Sequence, residues 1–347
     1  MTTSQQQIWQ LTWPHGRLTV HALGAMVVPV FILPDGREIS PMLQPPWVDQ
    51  PPSDELAALP PLVRNMRGEW PCVPFGVNTP VTDLGPSWGY SRTYTPNRWL
   101  HGYGSNQPWR CVARSDARLK LGIDYPDEEP IAGLERIITP DPDAAAVDIE
   151  LVVHPRLDCR LPVGLHPTLG VSEAVGSTRI RPGRFAFGRT YPIRFPGLVQ
   201  EPPQTVPDQE FASLSAVPGT SGTSIDFTRL PFERRYDDLV QLCGIDGTFE
   251  VHNEVTNAVL RLTWDARQLP SCLVGPFSRG RLGAPFSGRF IGMEIEPCCS
   301  AFGLGTAIST APNPIAERGI ETAITFRANE VWRTRYRISA HPGPDGG

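Results

Sequence analysis

Trp109-Arg-Cys-Val-Ala-Arg-Ser-Asp-Ala-Arg-Leu-Lys-Leu-Gly-Ile123, followed by Gly133-Leu-Glu-Arg-Ile-Ile138 and Val147-Asp-Ile-Glu-Leu-Val-Val153, reads as strand after strand. Arg110 to Ala113, Ala117 to Ile123, Gly133 to Ile138 and Val147 to Val153 are short runs of strand-forming residues, and Asp141-Pro-Asp143 turns the chain between the last two. The same pattern extends in both directions. Arg17 to Ala22 and Met26 to Leu33 are strand-like, and Pro34-Asp35-Gly36 turns the chain into Arg37 to Leu43. Downstream, Gly247 to Asn253 and Ala258 to Asp265 flank a Glu254 to Asn257 turn, and Gly288 to Glu296, Ile320 to Arg327 and Val331 to Ile338 follow. Helices are expected to be few, with one short example around Ser53 to Leu59, where Ser53 is the N-cap and Glu55 sits in the first turn. Phe195 to Ser224, rich in Pro, Gly, Ser and Thr, is expected to be a long loop.

Composition agrees with an all-β chain. Thirty-nine prolines and 32 glycines in 347 residues, without a repeat, suit many strands joined by many turns. Large sandwiches of this length often form one domain, so residues 1–340 are expected to be a single domain and 341–347 a disordered tail.

A net charge of -5 argues against nucleic-acid binding, which needs a surplus of Lys and Arg on one face. The seven cysteines are odd in number and form no C-x-x-C pair, so neither a disulfide framework nor a zinc site is expected. Met1 to Leu11 lacks the features of a signal peptide, and the longest apolar run, Ala22 to Leu33, is too short to span a bilayer. A cytoplasmic protein without membrane or nucleic-acid partners is the expectation. The chain has no P-loop, no H-E-x-x-H and no G-x-S-x-G, and Gly303-Leu-Gly305 lacks the third glycine of a dinucleotide fingerprint. No cofactor and no metal are implied.

Two separated segments carry the candidate chemistry. Gly164-Leu-His-Pro167 offers an imidazole, His166, and Ile295-Glu-Pro297 offers a carboxylate, Glu296. An imidazole gives a proton near neutral pH and a carboxylate takes one, so two such groups on opposite sides of a sugar ring can open and close a hemiacetal. Strand alternation places Phe290, Gly292, Glu294 and Glu296 on one face, and Ile291, Met293 and Ile295 on the other. The apolar face is expected to be buried, leaving the other to carry the carboxylates. Four of the nine tryptophans, Trp70, Trp88, Trp99 and Trp109, lie in one stretch with Tyr90, Tyr94 and Tyr103. Their rings suit either the floor of a sugar site or plain core packing.

These segments resemble the galactose mutarotase-like superfamily, which includes aldose 1-epimerases and hexose-6-phosphate mutarotases. Leu18 to Leu43 is similar to its first strands. Arg67-Gly-Glu-Trp-Pro-Cys-Val-Pro-Phe-Gly76 is similar to its Arg-Gly-Gly-x-Pro segment, and Leu100-His-Gly-Tyr103 with Trp109 to its His-Gly-Phe…Trp motif. Gly164 to Pro167 is similar to the segment bearing the catalytic histidine, and Ile295 to Pro297 to that bearing the base. Tyr236-Asp237-Asp238 stands where the family places a sugar-binding aspartate.

The resemblance implies a twisted antiparallel β-supersandwich and aldose 1-epimerase activity, with Glu296 as base and His166 as acid. It makes Arg67, His101 and Asp237 substrate-binding residues, with Asp238 next in line should Asp237 fall elsewhere. The implied partner is a small sugar, and a monomer or weak homodimer is expected. The family's phosphate-binding Arg is replaced by Gly104-Ser105-Asn106, and Glu69 stands for the second Gly of Arg-Gly-Gly, where it would repel an anion if it faced the cleft. A neutral sugar is therefore preferred over a hexose 6-phosphate. The rivals are a hexose-6-phosphate mutarotase and a non-catalytic carbohydrate-binding module of the same fold.

Overall fold

The computed structural model describes residues 7–48, 53–194 and 198–344. Every pairing between its strands is antiparallel, as the short connections between successive strands permit. A nine-stranded sheet runs in the order Arg229–Leu230, Thr178–Pro182, Thr248–Asn253, Ala258–Trp264, Trp332–Pro342, Ala146–Pro155, Ile131–Pro140, Arg118–Asp124 and Arg110–Ser115. An eight-stranded sheet follows Glu210–Phe211, Phe187–Thr190, Val240–Cys243, Ser271–Ser278, Ile291–Cys299, Val163–Leu165 and Pro71–Cys72, and Thr168–Leu169 also pairs with Ile291–Cys299. The first strands form a four-stranded sheet of their own, Ile8–Trp13, Gly16–His21, Met26–Ile32 and Glu38–Ile39. This is the expected all-β supersandwich.

Side-chain alternation in the eight-stranded sheet explains where the site lies. Val240, Leu242, Cys272, Val274, Met293 and Ile295 point into one core shared with Leu121, Ile149, Leu260 and Ile338 of the nine-stranded sheet. Their neighbours Leu239, Cys243 and Leu273 point the other way, into a second core with Trp47, Trp70, Phe75, Phe290 and Phe302. The sheet is thus covered on both faces, and a strand covered on both faces loses the alternation that reveals it in sequence. That is why Phe187–Thr190, Val240–Cys243 and Ser271–Ser278 add strands that the residue pattern does not announce. The carboxylate face of Ile291–Cys299 is accordingly buried as well, which corrects the expectation of one buried face only.

Ser53 caps Asp54–Ala57 as expected, its Oγ accepting from Leu56 N at 3.1 Å. The expected loop over 195–224 holds the short strands Glu210–Phe211 and Val217–Pro218, with residues 195–197 outside the described set. The last strand runs on to Pro342, into the segment expected to be a tail, of which 345–347 lie outside the described residues. No helix among the described residues is long and apolar enough to cross a membrane.

Candidate active site

Backbone hydrogen bonds bring the distant motifs together. His166 follows the strand Val163–Leu165, and its N–H donates to Trp70 O at 2.9 Å, while Thr168 N–H donates to Gly68 O at 2.9 Å. On its other side, Ile295 N–H donates to Pro167 O, and Thr168 lies opposite Glu294 in the sheet register. The histidine segment is therefore clamped between the Arg67–Gly76 motif and the carboxylate strand. His166 Nε2 lies 3.0 Å from Glu296 Oε1 and 3.9 Å from Glu294 Oε1. The expected acid and base thus stand side by side, not on opposite sides of a ring-sized gap, because the backbone register brings their segments into contact.

Ring packing fixes the imidazole. Trp70 stacks on His166 at 4.1 Å between centroids with planes 19° apart, and His101 meets it edge-on at 5.0 Å. Thr168 Oγ1 is 3.4 Å from His166 Nδ1. His101 occupies a tight turn at φ +55°, and its N–H donates to Gly76 O. Gly102 beside it has φ +88°, and a Cβ there would lie 2.1 Å from Val73 O, so only glycine lets this turn approach the Val73 backbone. Asn106 Nδ2 donates to Leu100 O and Gly102 O, and Ser105 Oγ to His101 O. The Gly104 to Asn106 segment thus holds the histidine turn in shape.

His101, His166, Glu294 and Glu296 line one cavity of about 410 Å³. Arg67 and Asp237, both expected there, are not among its lining residues. Arg67 Nε donates to Asn65 O. Asp237 is fully buried; its Oδ1 accepts from Ser278 N–H and Gly280 N–H, each at 2.8 Å, and so shapes the turn after the strand Ser271–Ser278. Its Oδ2 stands 3.7 Å from Nε of Arg281, which does line the cavity. Asp238 is no substitute, since its Oδ2 accepts from Thr205 Oγ1 and Tyr236 Oη. Glu69 is fully buried against Arg136, which also bonds Tyr336 Oη, so it faces the inter-sheet core and repels nothing in the cavity.

Sequence reasoning missed Arg281 and the apolar walls. Arg281 lies 44 residues from Asp237, next to the Gly280 whose N–H Asp237 accepts, and no local pattern marks it. Glu294, by contrast, is legible as the same-face neighbour of Glu296, and Trp70 as a member of the aromatic run.

Burial and mutual charge set the protonation states. Burial by itself drives the His166 imidazole down, but Glu296 and Glu294 beside it outweigh that and hold its pKa above the usual histidine value. Burial pushes the Glu296 carboxyl up, yet the charge and hydrogen bond of His166 bring it below the usual range. Burial raises Glu294 to about 7, with Glu296 adding repulsion, and burial together with the His166 charge lowers His101 to about 3. Near neutral pH the site therefore holds a His166 cation against a Glu296 anion, a neutral His101, and a Glu294 poised to gain or lose a proton. His166, Glu294 and Glu296 also offer three ligand atoms within 4.8 Å of one another, a nitrogen and oxygen donor set that suits a divalent cation.

No protein-family model matches the chain, and no curated protein resembles it at a significant level. Solved structures do. An aldose epimerase homologue from C. elegans superposes with a TM-score of 0.60 at 12% identity, covering 97% of this chain and 99% of its own. A galactose mutarotase related enzyme from Lactobacillus acidophilus gives 0.57 at 12% identity over 98% and 99%. A galactose mutarotase-like protein from Clostridium acetobutylicum gives 0.54 at 14% identity over 98% and 100%. The chain has the galactose mutarotase-like fold along nearly its whole length.

Proposed function

We propose that this protein is an isomerase of the aldose 1-epimerase type, interconverting the anomers of a cyclic hemiacetal by acid and base catalysis. The observation that carries this reading is the buried His166–Glu296 pair, 3.0 Å apart, in a cavity that other protein atoms leave open. Its charge state suits the reaction. The anomeric hydroxyl and the ring oxygen are bonded to the same carbon, so an acid and a base held side by side reach both.

In the forward direction the Glu296 carboxylate takes the proton of the anomeric hydroxyl, and the C1–O bond electrons of the ring pass to the ring oxygen as the carbonyl forms. His166 gives its Nε2 proton to that oxygen. Rotation about the C1–C2 bond presents the other carbonyl face, and closure reverses both transfers, returning the proton to His166 and leaving the opposite anomer. Trp70 keeps the imidazole plane fixed through the cycle, and neutral His101 borders the reacting end without adding charge. Among the described residues the cavity has Arg281 as its only lysine or arginine, against the carboxyl groups of Glu294 and Glu296, and this favours a neutral substrate over a sugar phosphate.

Polarimetry of freshly dissolved reducing sugars tests the reading. The wild-type protein is expected to speed approach to the equilibrium rotation, and Glu296→Gln and His166→Asn to remove the effect while the sugar still binds. Sugar binding without any acceleration over buffer would leave a non-catalytic carbohydrate-binding site.

A further inference from the structure

The cavity that holds the His–Glu pair is built for a ligand far less polar than a free sugar. Among the described residues, its charged, imidazole or hydroxyl side chains are His101, His166, Tyr191, Arg281, Glu294 and Glu296, and no Ser, Thr, Asn, Gln or Asp lines it. Four of these groups gather at one end: His101 and Trp70 contact the His166 ring, and both glutamates lie within 4 Å of its Nε2, whereas the Arg281 guanidinium lies over the Phe277 and Phe286 rings and Tyr191 packs edge-on against Phe302. Most of the remaining wall is apolar, including Leu62, Met66, Leu198, Leu239 and Leu273.

A hexopyranose brings a hydroxyl on nearly every carbon. The reaction occupies Glu296 and His166 with the anomeric hydroxyl and ring oxygen. Glu294 and His101 then remain at the reacting end, with the unpartnered Trp70 Nε1 and His101 Nδ1, and Arg281 and Tyr191 are the polar side chains elsewhere among the described lining residues. Most hydroxyls further along the ring would face leucine and methionine, giving up water without gaining a partner, and an unmatched buried hydroxyl weakens binding where an apolar substituent strengthens it. The volume of about 410 Å³ falls in the range of pockets that enclose drug-sized ligands.

We infer that the substrate is a reducing sugar whose non-anomeric hydroxyls are missing or masked by alkyl or acyl groups, so that one hemiacetal end meets the His–Glu pair and an apolar body fills the wall. The reaction assigned to this ligand rests on the isomerase reading above; its preference over free hexoses rests on the wall alone.

The test compares 2,3,4,6-tetra-O-methyl-D-glucose, which keeps the hemiacetal and carries no other free hydroxyl, with D-glucose and D-galactose. Polarimetry reads turnover and quenching of tryptophan fluorescence reads binding. The expected result is a kcat/KM for the methylated sugar at least about tenfold above either hexose, since one hydroxyl left without a partner already costs about that factor. Equal or faster turnover of a free hexose overturns the inference and leaves the isomerase reading standing. If no sugar turns over, the isomerase reading fails, and binding then decides: tighter binding of the methylated sugar supports an apolar-ligand site, and tighter or equal binding of the hexoses, or none at all, overturns it.

Discussion

Replacing Glu294 by glutamine removes the one carboxyl of the site whose proton is exchanged near neutrality, and its effect on stability must depend on pH. In the folded protein burial holds Glu294 near about 7, against 4.5 for an exposed glutamate. Between those values the folded state binds more protons at this position than the unfolded chain, so the wild-type protein loses stability as pH rises through that window. Below pH 4.5 the carboxyl is neutral in both states and glutamine is a close mimic. The gap between 4.5 and about 7, at about 1.4 kcal/mol per pH unit, is worth about 3 kcal/mol when fully crossed. Urea unfolding at pH 5 and at pH 8 crosses most of it. The Glu294→Gln variant is expected to gain about 2–3 kcal/mol on the wild type between the two, as a shift in midpoint at constant slope. A variant whose stability difference from wild type is the same at both pH values would refute the argument that this carboxyl is held protonated by its surroundings.

Three further outcomes follow from the site and its frame. Glu296→Gln and His166→Asn should each lower kcat/KM for anomer exchange about 10²- to 10⁴-fold, with the double variant little worse than the poorer single one, because the two groups serve one proton cycle; additive losses would separate their roles. The pH profile of kcat/KM should rise on the acid side as Glu296 ionises, at a pH below 4.5, and fall on the alkaline side as His166 loses its proton, at a pH above 6.5, so an alkaline limb below pH 6.5 would contradict the ion pair. Glu69→Gln, which leaves Arg136 charged and buried, should destabilise the fold by about 3–5 kcal/mol in urea unfolding, and Glu69→Leu combined with Arg136→Met should recover much of that.

The strand runs from Gly16 to Ile32 and from Arg110 to Pro155 are legible in sequence because each faces solvent or a turn often enough to keep its pattern and its punctuation. Ser53 announces its helix for the same local reason, a side-chain oxygen within reach of Leu56 N–H. His166 and Glu296 are likewise picked out by their short motifs, Gly164 to Pro167 and Ile295 to Pro297, without any knowledge of packing, and the structure places the two side by side.

What sequence cannot supply is the pairing register, because it is set by side chains from segments a hundred or more residues apart. That register seats Pro167 against Ile295, and so decides that His166 meets Glu296, that Glu294 stands 3.9 Å from the same nitrogen, and that burial raises its carboxyl pKa to about 7. It also turns Asp237 onto the backbone of Ser278 and Gly280, sends Arg281 to the cavity in its place, and buries Glu69 on Arg136. The motif residues by themselves supply the imidazole and the carboxylate on which the proposed proton chemistry rests. The apolar wall opposite them, assembled from Leu62, Leu198, Leu239, Leu273 and Phe286, exists only once the sheet is covered on its second face, and it is this wall that decides what can lie against the chemistry.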